Sequence, residues 1–187
     1  MEVSQDVVKE MKEEIGAELF DKLLDMFKKG QVSVAELMQI PREELDNLHQ
    51  LARQAIVRKN YEMAENVLAM LTSVDPYTGE YWLTYGIVLQ INENWEMARF
   101  AFTTALNRNS KILEAYVRAA ECDIHMKSPG YAMDILKAAF LLPAKDSQDI
   151  ELLNRAKKLQ LIAEKMEPGE FDRPEIDADM AEDDDNN

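Results

Sequence analysis

Histidine and cysteine often carry catalysis or bind metal ions, and this chain has only three such residues: His49, His125 and Cys122. A metal site needs three or four convergent ligands, but no second cysteine or histidine stands at ligand spacing. The 36 acidic side chains are too numerous for their pairing to carry information. We therefore expect no enzyme activity, no metal ion and no cofactor, and we expect Cys122 to be a packed, inert thiol.

Peptide binding is the chemistry that the sequence does support. Sets of apolar and polar residues recur at i, i+4 and i+7, which puts each set on one side of a helix. Such a surface suits an extended peptide whose apolar side chains enter pockets while its backbone contacts polar groups. The predicted peptide-binding residues are His49, Arg53, Ile56, Leu83, Ile87, Gln90, Ile91, Val117, Glu121 and Ile124, with His125 at the border. The alternative for any one of them is packing against the N-terminal helices.

An internal repeat predicts the helices that carry these residues. Ala64, Ala98 and Ala132 lie 34 residues apart in similar contexts, and 34 residues is the period of the tetratricopeptide repeat, a pair of packed helices. Turn signals at 59–60, 92–94 and 128–130 separate the two helices of each unit. The alignment gives three units, 45–78, 79–112 and 113–146. These positions predict an all-α fold.

The middle unit shows why the two helices of a repeat pack closely. Small Gly86 and Ala98 are expected to let the helices approach each other, while Trp82, Tyr85 and Phe102 fill the space around the crossing. Large and small side chains recur at the same positions relative to the turns. This pattern makes the repeat assignment more specific than the shared alanine alone.

Helical patterns flank the repeats. Apolar residues at steps of three and four predict a helix over about 5–29 with Gly30 as its C-cap, and Ser33 with Glu36 predicts a capping box. Pro41 suits the first position of the next helix. Downstream, Asp146 can cap a last helix in which Ile150, Leu153, Leu159 and Ile162 cover the open face of the third repeat.

The predicted architecture is a short right-handed solenoid with flanking segments. Its parts are an N-terminal helical region (1–44), three repeats (45–146), a capping helix (147–167) and an acidic disordered tail (168–187). Little in the tail can offset the entropy of ordering it. Its simplest interpretation is a solvating segment, and the alternative is an electrostatic shield or a mimic that competes for a basic partner.

Composition excludes several function classes. The formal charge of −15 argues against nucleic-acid binding, which needs a basic surface. No apolar run approaches the roughly 18 residues of a membrane span, and the first residues lack the pattern of a secretory signal. A single cysteine rules out an internal disulfide and fits a reducing cytoplasm.

Four stretches resemble one known family. Residues 38–48 are similar to its entry into the first repeat, residues 81–86 and 95–98 resemble its second repeat, and residues 119–122 match a tetrapeptide typical of its third. This family is the class II chaperones of bacterial type III secretion, which hold the pore-forming translocator proteins. The likeness covers about residues 20–160. The relatives present aromatic side chains where this chain has His49, Arg53 and Ile56, and the long acidic tail is unusual among them.

The resemblance implies a bacterial cytoplasmic chaperone. Its groove would hold an extended, N-terminal segment of a translocator and keep that client soluble, and its N-terminal helices would permit a homodimer. The alternative is a general tetratricopeptide adaptor or co-chaperone scaffold that grips the acidic C-terminus of a heat-shock chaperone. That grip needs a basic and amide clamp, but Glu114 stands where a lysine is wanted among His49, Arg53, Thr84, Glu114 and Arg118. A sequence-independent scaffold would have no high-affinity client.

Overall fold

The computed structural model describes residues 16–30 and 32–169, which form nine α-helices and no strand. The helices are α1 (Ala17–Lys28), α2 (Val34–Leu37), α3 (Arg42–Val57), α4 (Tyr61–Val74), α5 (Gly79–Ile91), α6 (Trp95–Arg108), α7 (Leu113–His125), α8 (Pro129–Ala139) and α9 (Ser147–Ala163). The predicted all-α class is confirmed for these residues. None of these helices is long and apolar enough to cross a membrane.

The chain divides into two compact units between Tyr85 and Gly86, within α5. In the first unit, α3 packs against α4, and α2 contacts both α1 and α4. In the second unit, α7 packs between α6 and α8, and α9 lies against both α7 and α8. The helix pairs match the predicted repeats in sequence, while the predicted division into three repeats, a cap and tails stays a prediction.

The 34-residue period is visible in the backbone of the turns. Lys59, Glu93 and Lys127 each have a positive φ of 56–59° in the turn between the two helices of a predicted repeat. The next residue in each turn donates its amide to a carbonyl five residues back, as from Asn60 to Ala55. This is the Schellman motif, which satisfies the carbonyl groups left at a helix end. The asparagines then cap the following helix: the side chain of Asn60 accepts from the amide of Met63, and Asn94 acts likewise.

Buried small residues let the helices pack closely. Ala64, Ala98 and Ala132, the three repeat alanines, have no exposed surface. A Cβ built on Gly86 would lie 2.5 Å from the Cε1 atom of Phe102, a ring that is fully buried. The predicted close approach at Gly86 is therefore confirmed, and only glycine leaves room for the ring.

The predicted N-terminal helix is shorter than expected. Helix α1 begins at Ala17 because Gly16 has φ 87°, a conformation outside the helix, and the predicted residues 5–15 lie outside the described part of the chain. Gly30 ends the helical segment with φ 66°. The capping box is confirmed, because Ser33 Oγ accepts from the Glu36 amide while Glu36 accepts from the Ser33 amide. Pro41 precedes α3 as its N-cap rather than occupying its first position.

The face that α9 turns towards the core differs from the predicted one. Ala156 and Ala163 are buried in a cluster that also contains Leu136, and Leu152 and Leu159 pack against this cluster. Ile150 and Ile162, which were predicted to cover the third repeat, are about half exposed. The prediction counted only large apolar residues, but the small alanines let the helix lie close to α7 and α8. Asp146 caps α9 as predicted, accepting from the Asp149 amide at 2.9 Å.

The contact between Gly86 and Phe102 predicts that Gly86→Ala destabilises the protein. Alanine usually favours a helix by about 0.5–1 kcal/mol over glycine. Here the added methyl group would overlap the ring of Phe102, so we expect a loss of about 1–3 kcal/mol in the free energy of unfolding in urea. In a Phe102→Leu background the same change should cost much less. An equal cost in both backgrounds would contradict the steric explanation.

Candidate peptide-binding site

A cavity of about 450 Å³ opens in the second unit between α5, α6, α7 and α9. We call it the cap pocket because α9, the helix that was predicted to cap the repeats, forms one wall. Its lining residues are Gln90, Ile91, Trp95, Glu121, Ile124, His125, Arg155, Leu159 and Ile162. Four of the ten predicted peptide-binding residues, and the predicted border residue His125, therefore lie around one cavity.

The cap pocket has a mostly apolar wall. Ile91 and Ile162 remain 41% and 47% exposed, and Ile124 and Leu159 are partly buried against the core. The indole of Trp95 stacks on the ring of His125, with centroids 3.8 Å apart and an angle of 3° between the planes. When a ligand covers apolar surface that was in contact with water at a concave site, the free energy of the system falls, which favours binding.

A chain of polar contacts crosses the pocket from α5 to α9. Arg118 Nη1 donates to Gln90 Oε1 at 2.7 Å, and Gln90 Nε2 donates to Glu121 Oε2 at 3.2 Å. The other carboxylate oxygen of Glu121 is ion-paired with Arg155 Nε of α9. Arg118 Nε also donates to Glu114 at 2.7 Å. The chain of contacts holds three helices in register and gives the Glu121 carboxylate its partners.

The charges of this chain of contacts differ in their exposure to water. The side chains of Glu121, Arg118 and Glu114 are only 11%, 21% and 25% exposed, whereas that of Arg155 is 49% exposed. Arginine has five N–H donors, so Arg155 can keep its bond to Glu121 and still donate to a ligand. The rim therefore offers a cationic donor beside apolar side chains, which suits a peptide carbonyl or carboxylate next to an apolar residue.

Two of the predicted residues in this unit do not line the pocket. Val117 has no exposed surface and belongs to the buried cluster with Ala120 and Leu136. It cannot contact a peptide in this structure, so its prediction as a binding residue is wrong. Ile87 is partly exposed on α5 but is not among the residues around the cavity. The i, i+4, i+7 rule selected one side of α7, and part of that side is core.

In the first unit, His49 is held by its neighbours. Thr84 Oγ1 donates to the carbonyl of Glu80 at 2.9 Å, so its lone pair accepts from His49 Nε2 at 2.8 Å. The imidazole also meets the ring of Tyr81 edge-on at 4.9 Å. Burial lowers the pKa of His49, and the nearby charge of Arg53 lowers it further. His49 is therefore a neutral, anchored side chain near pH 7.

The other predicted residues of the first unit are not gathered around one cavity. Arg53 is exposed and lines a shallow depression whose lining comes from α3 and the residue after it. Ile56 and Leu83 are partly exposed on α3 and α5. Their role in peptide binding stays a prediction.

Three residues of α9 were not predicted as part of the site. Arg155, Leu159 and Ile162 line the cap pocket at spacing i, i+4 and i+7, the spacing that selected the other residues. The sequence therefore contained the signal, but the rule was applied only to the first helix of each repeat. Trp95 is a different case, because it is the first residue of α6 and no helical spacing connects it with the site.

No metal centre is found in the described part of the chain, where no group of three or more His, Cys, Asp or Glu side chains could hold an ion.

Cys122 is fully buried in α7. Burial raises the pKa of its thiol to about 12, and the nearby carboxylates of Asp123 and Glu121 add to the shift. The thiol is therefore protonated at neutral pH, as expected of a packed cysteine.

Solved structures of type III secretion chaperones resemble this chain in fold. Scans against family models and curated proteins give no match. The translocator chaperone SycD of Yersinia enterocolitica, solved with a peptide of the translocator YopD, matches with a TM-score of 0.63 at 23% identity, covering 67% of this chain and 95% of SycD. SycD has also been solved in an alternative dimer.

Two further structures bear on the fold. A type III secretion complex from Aeromonas hydrophila matches with a TM-score of 0.71 at 19% identity, over 76% of this chain and 95% of that one. The TPR2B domain of yeast Sti1, solved as a complex with pHsp70, matches with a TM-score of 0.60 at 15% identity, over 65% and 97%. The chain therefore has the tetratricopeptide fold that translocator chaperones share.

The Glu121–Arg155 ion pair should stabilise the folded protein more than an exposed pair does. A double-mutant cycle with Glu121→Gln and Arg155→Met should give a coupling of about 1–2 kcal/mol in urea unfolding, because Glu121 is largely buried. The control cycle uses Lys137→Met and Asp134→Asn, an exposed pair at 3.3 Å in α8. It should give below about 0.5 kcal/mol. Similar couplings would mean that α9 is not held by this contact.

The buried thiol should react only when the protein unfolds. A rise of the pKa from 9.0 to about 12 lowers the thiolate fraction roughly a thousandfold, and only the thiolate attacks a disulfide reagent. We expect Ellman's reagent at pH 8 to label Cys122 at least about a hundredfold more slowly in buffer than in 8 M urea. Fast labelling of the folded protein would show that α7 opens locally.

Proposed function

We propose that this protein is a chaperone that binds type III secretion translocators through an extended peptide segment. The observation that carries the proposal is the cap pocket. Its apolar side chains lie beside the polar groups of Gln90, Glu121 and Arg155, which already have partners within the chain. A translocator has membrane-inserting segments that would aggregate or insert early, and holding one exposed stretch keeps such a client soluble. The likeness to SycD, solved with a translocator peptide, supports the same assignment.

The peptide would lie along the predicted residues that remain accessible. Ile91, Ile124 and the capping helix supply apolar contacts, and Gln90 and Arg155 supply polar ones. Ile87 adds to this proposed surface within the second unit, and Arg53, Ile56 and Leu83 are proposed as peptide contacts of the first unit. Work of this kind needs no nucleotide, because binding alone keeps the client unfolded. The proposed function implies a location in the bacterial cytoplasm, where translocators are made.

A homodimer is part of the proposal. Leu19 and Phe27 of α1 are 50% and 40% exposed, so this helix presents apolar side chains that a second copy could cover. The alternative dimer of SycD is a precedent for self-association in a protein of this fold.

The adaptor alternative has weaker physical support. The clamp that grips an acidic C-terminus needs free basic side chains, but Arg118 donates to both Glu114 and Gln90. His49 is a neutral donor to Thr84. These two residues of the proposed clamp are therefore already engaged within the chain, and the protein carries a net charge of −15 that repels an acidic peptide.

Purification of the full chain from its native cells, followed by mass spectrometry, tests the proposal. We expect a co-purifying protein with membrane-inserting segments, and a short fragment of it should bind in isothermal titration. Ile91→Asp should weaken this binding at least about tenfold, because it buries an unpaired carboxylate under the client.

Leu141→Asp is the matched control, since Leu141 is 85% exposed and lies outside the cap pocket. It should change the affinity less than about twofold. A client without membrane-inserting segments would overturn the translocator assignment. Equal affinities for the wild type and Ile91→Asp would overturn the assignment of the pocket.

A further inference from the structure

We infer that the C-terminal segment 170–177 of the same chain binds in the cap pocket and competes there with clients. The competition rests on the proposed function, whereas the binding of the segment does not. The inference depends on four features: where the described chain ends, the charge of α9, the sequence of the segment and the short tether between segment and pocket.

The described chain ends beside the pocket at a specified point. The amide of Gly169 donates to the carbonyl of Lys127 at 2.8 Å. A Cβ at Gly169 would lie 2.8 Å from that carbonyl oxygen, so this close approach requires glycine. Lys127 is two residues from His125, which lines the pocket. The described chain therefore ends in contact with a residue that is two positions from His125.

The C-terminal part of α9, one wall of the pocket, has a charge opposite in sign to that of the segment. Between residues 155 and 165, α9 and the turn after it contain four basic side chains and one acidic one, a net charge of +3 in a chain of −15. Arg155 is half exposed at the rim, and Lys157, Lys158 and Lys165 are exposed. Residues 170–187 contain nine acidic side chains and one arginine, a net charge of −8. These two parts of the chain attract each other at close range.

The sequence of the segment fits a pocket with an apolar wall and a cationic rim. Phe171 lies between Glu170 and Asp172, and Ile176 lies between Glu175 and Asp177. In an extended peptide, neighbouring side chains point to opposite faces. An apolar residue can therefore enter between Ile91 and Ile162 while the backbone or an adjacent carboxylate meets the free N–H groups of Arg155.

The short tether makes even a weak contact effective. An extended chain covers about 3.3–3.6 Å per residue, so Ile176 can reach about 23 Å from Gly169. A segment joined to the pocket by so few residues has an effective concentration of about a millimolar. A contact with a dissociation constant near 0.1 mM is therefore mostly occupied, and a client would bind roughly tenfold more weakly than to an empty pocket.

Fluorescence of Trp95 tests the occupancy without any client. The chain has two tryptophans, so Trp82→Phe leaves Trp95 as the sole reporter in the pocket. In the full-length Trp82→Phe protein we expect acrylamide to quench Trp95 about twofold less than in the same protein with Phe171→Ser and Ile176→Ser. A synthetic peptide of residues 170–187 should restore the protection, and the same peptide with both serines should not.

The control uses the other tryptophan. In a Trp95→Phe protein, quenching of Trp82 should be unaffected by the two serine substitutions, and circular dichroism should show unchanged helix content in every variant. Equal quenching of Trp95 with and without Phe171 and Ile176 would overturn the inference. Protection that rises with protein concentration and survives the serine substitutions would also overturn it, because a second copy would then be the occupant. Neither result would bear on client binding.

Discussion

Glu121 is an acid in the wall of an apolar pocket, where a carboxylate is costly unless it is paired and hydrogen-bonded. Arg155 and Gln90 meet this requirement, and Arg118 fixes the orientation of the Gln90 amide. The arrangement can form only if α5, α7 and α9 lie in one relative position. The contacts of this carboxylate, together with the buried cluster around Ala156 and Ala163, therefore set the position of α9 and with it the shape of the cap pocket.

The repeat fold could be predicted because its signals are local and occur three times. Each turn has a residue at positive φ at the same spacing, and in the first two turns an asparagine follows it and caps the next helix. The positions that need small side chains could also be predicted, since only glycine fits at position 86 against the ring of Phe102. The prediction of one unbroken helix over about 5–29 was wrong at Gly16, because an apolar pattern at helical spacing does not reveal one residue with a non-helical backbone.

The site was predicted less completely than the fold, for a physical reason. Helical spacing identifies residues on one side of a helix, but a helix between two neighbours has core on more than one side. Val117 and Glu121 are one turn apart on α7, yet the first packs against Leu136 and the second faces the pocket. Which of them is accessible depends on where α9 lies, and that contact is between segments far apart in the sequence.

A chaperone that uses no nucleotide must bind its client well enough to protect it and weakly enough to release it. Covering the exposed parts of Ile91 and Ile162 gains less than the 1.5–3 kcal/mol that full burial of such a side chain provides. A single pocket of this kind supports only modest affinity, so a tight complex requires further contacts along the repeats. A client that fills only the cap pocket would lose about tenfold in affinity through competition with the tethered segment, whereas a client with contacts beyond the pocket has binding free energy to offset that loss. The pocket then favours clients with several apolar side chains in an extended stretch, which is the property that makes a polypeptide prone to aggregate.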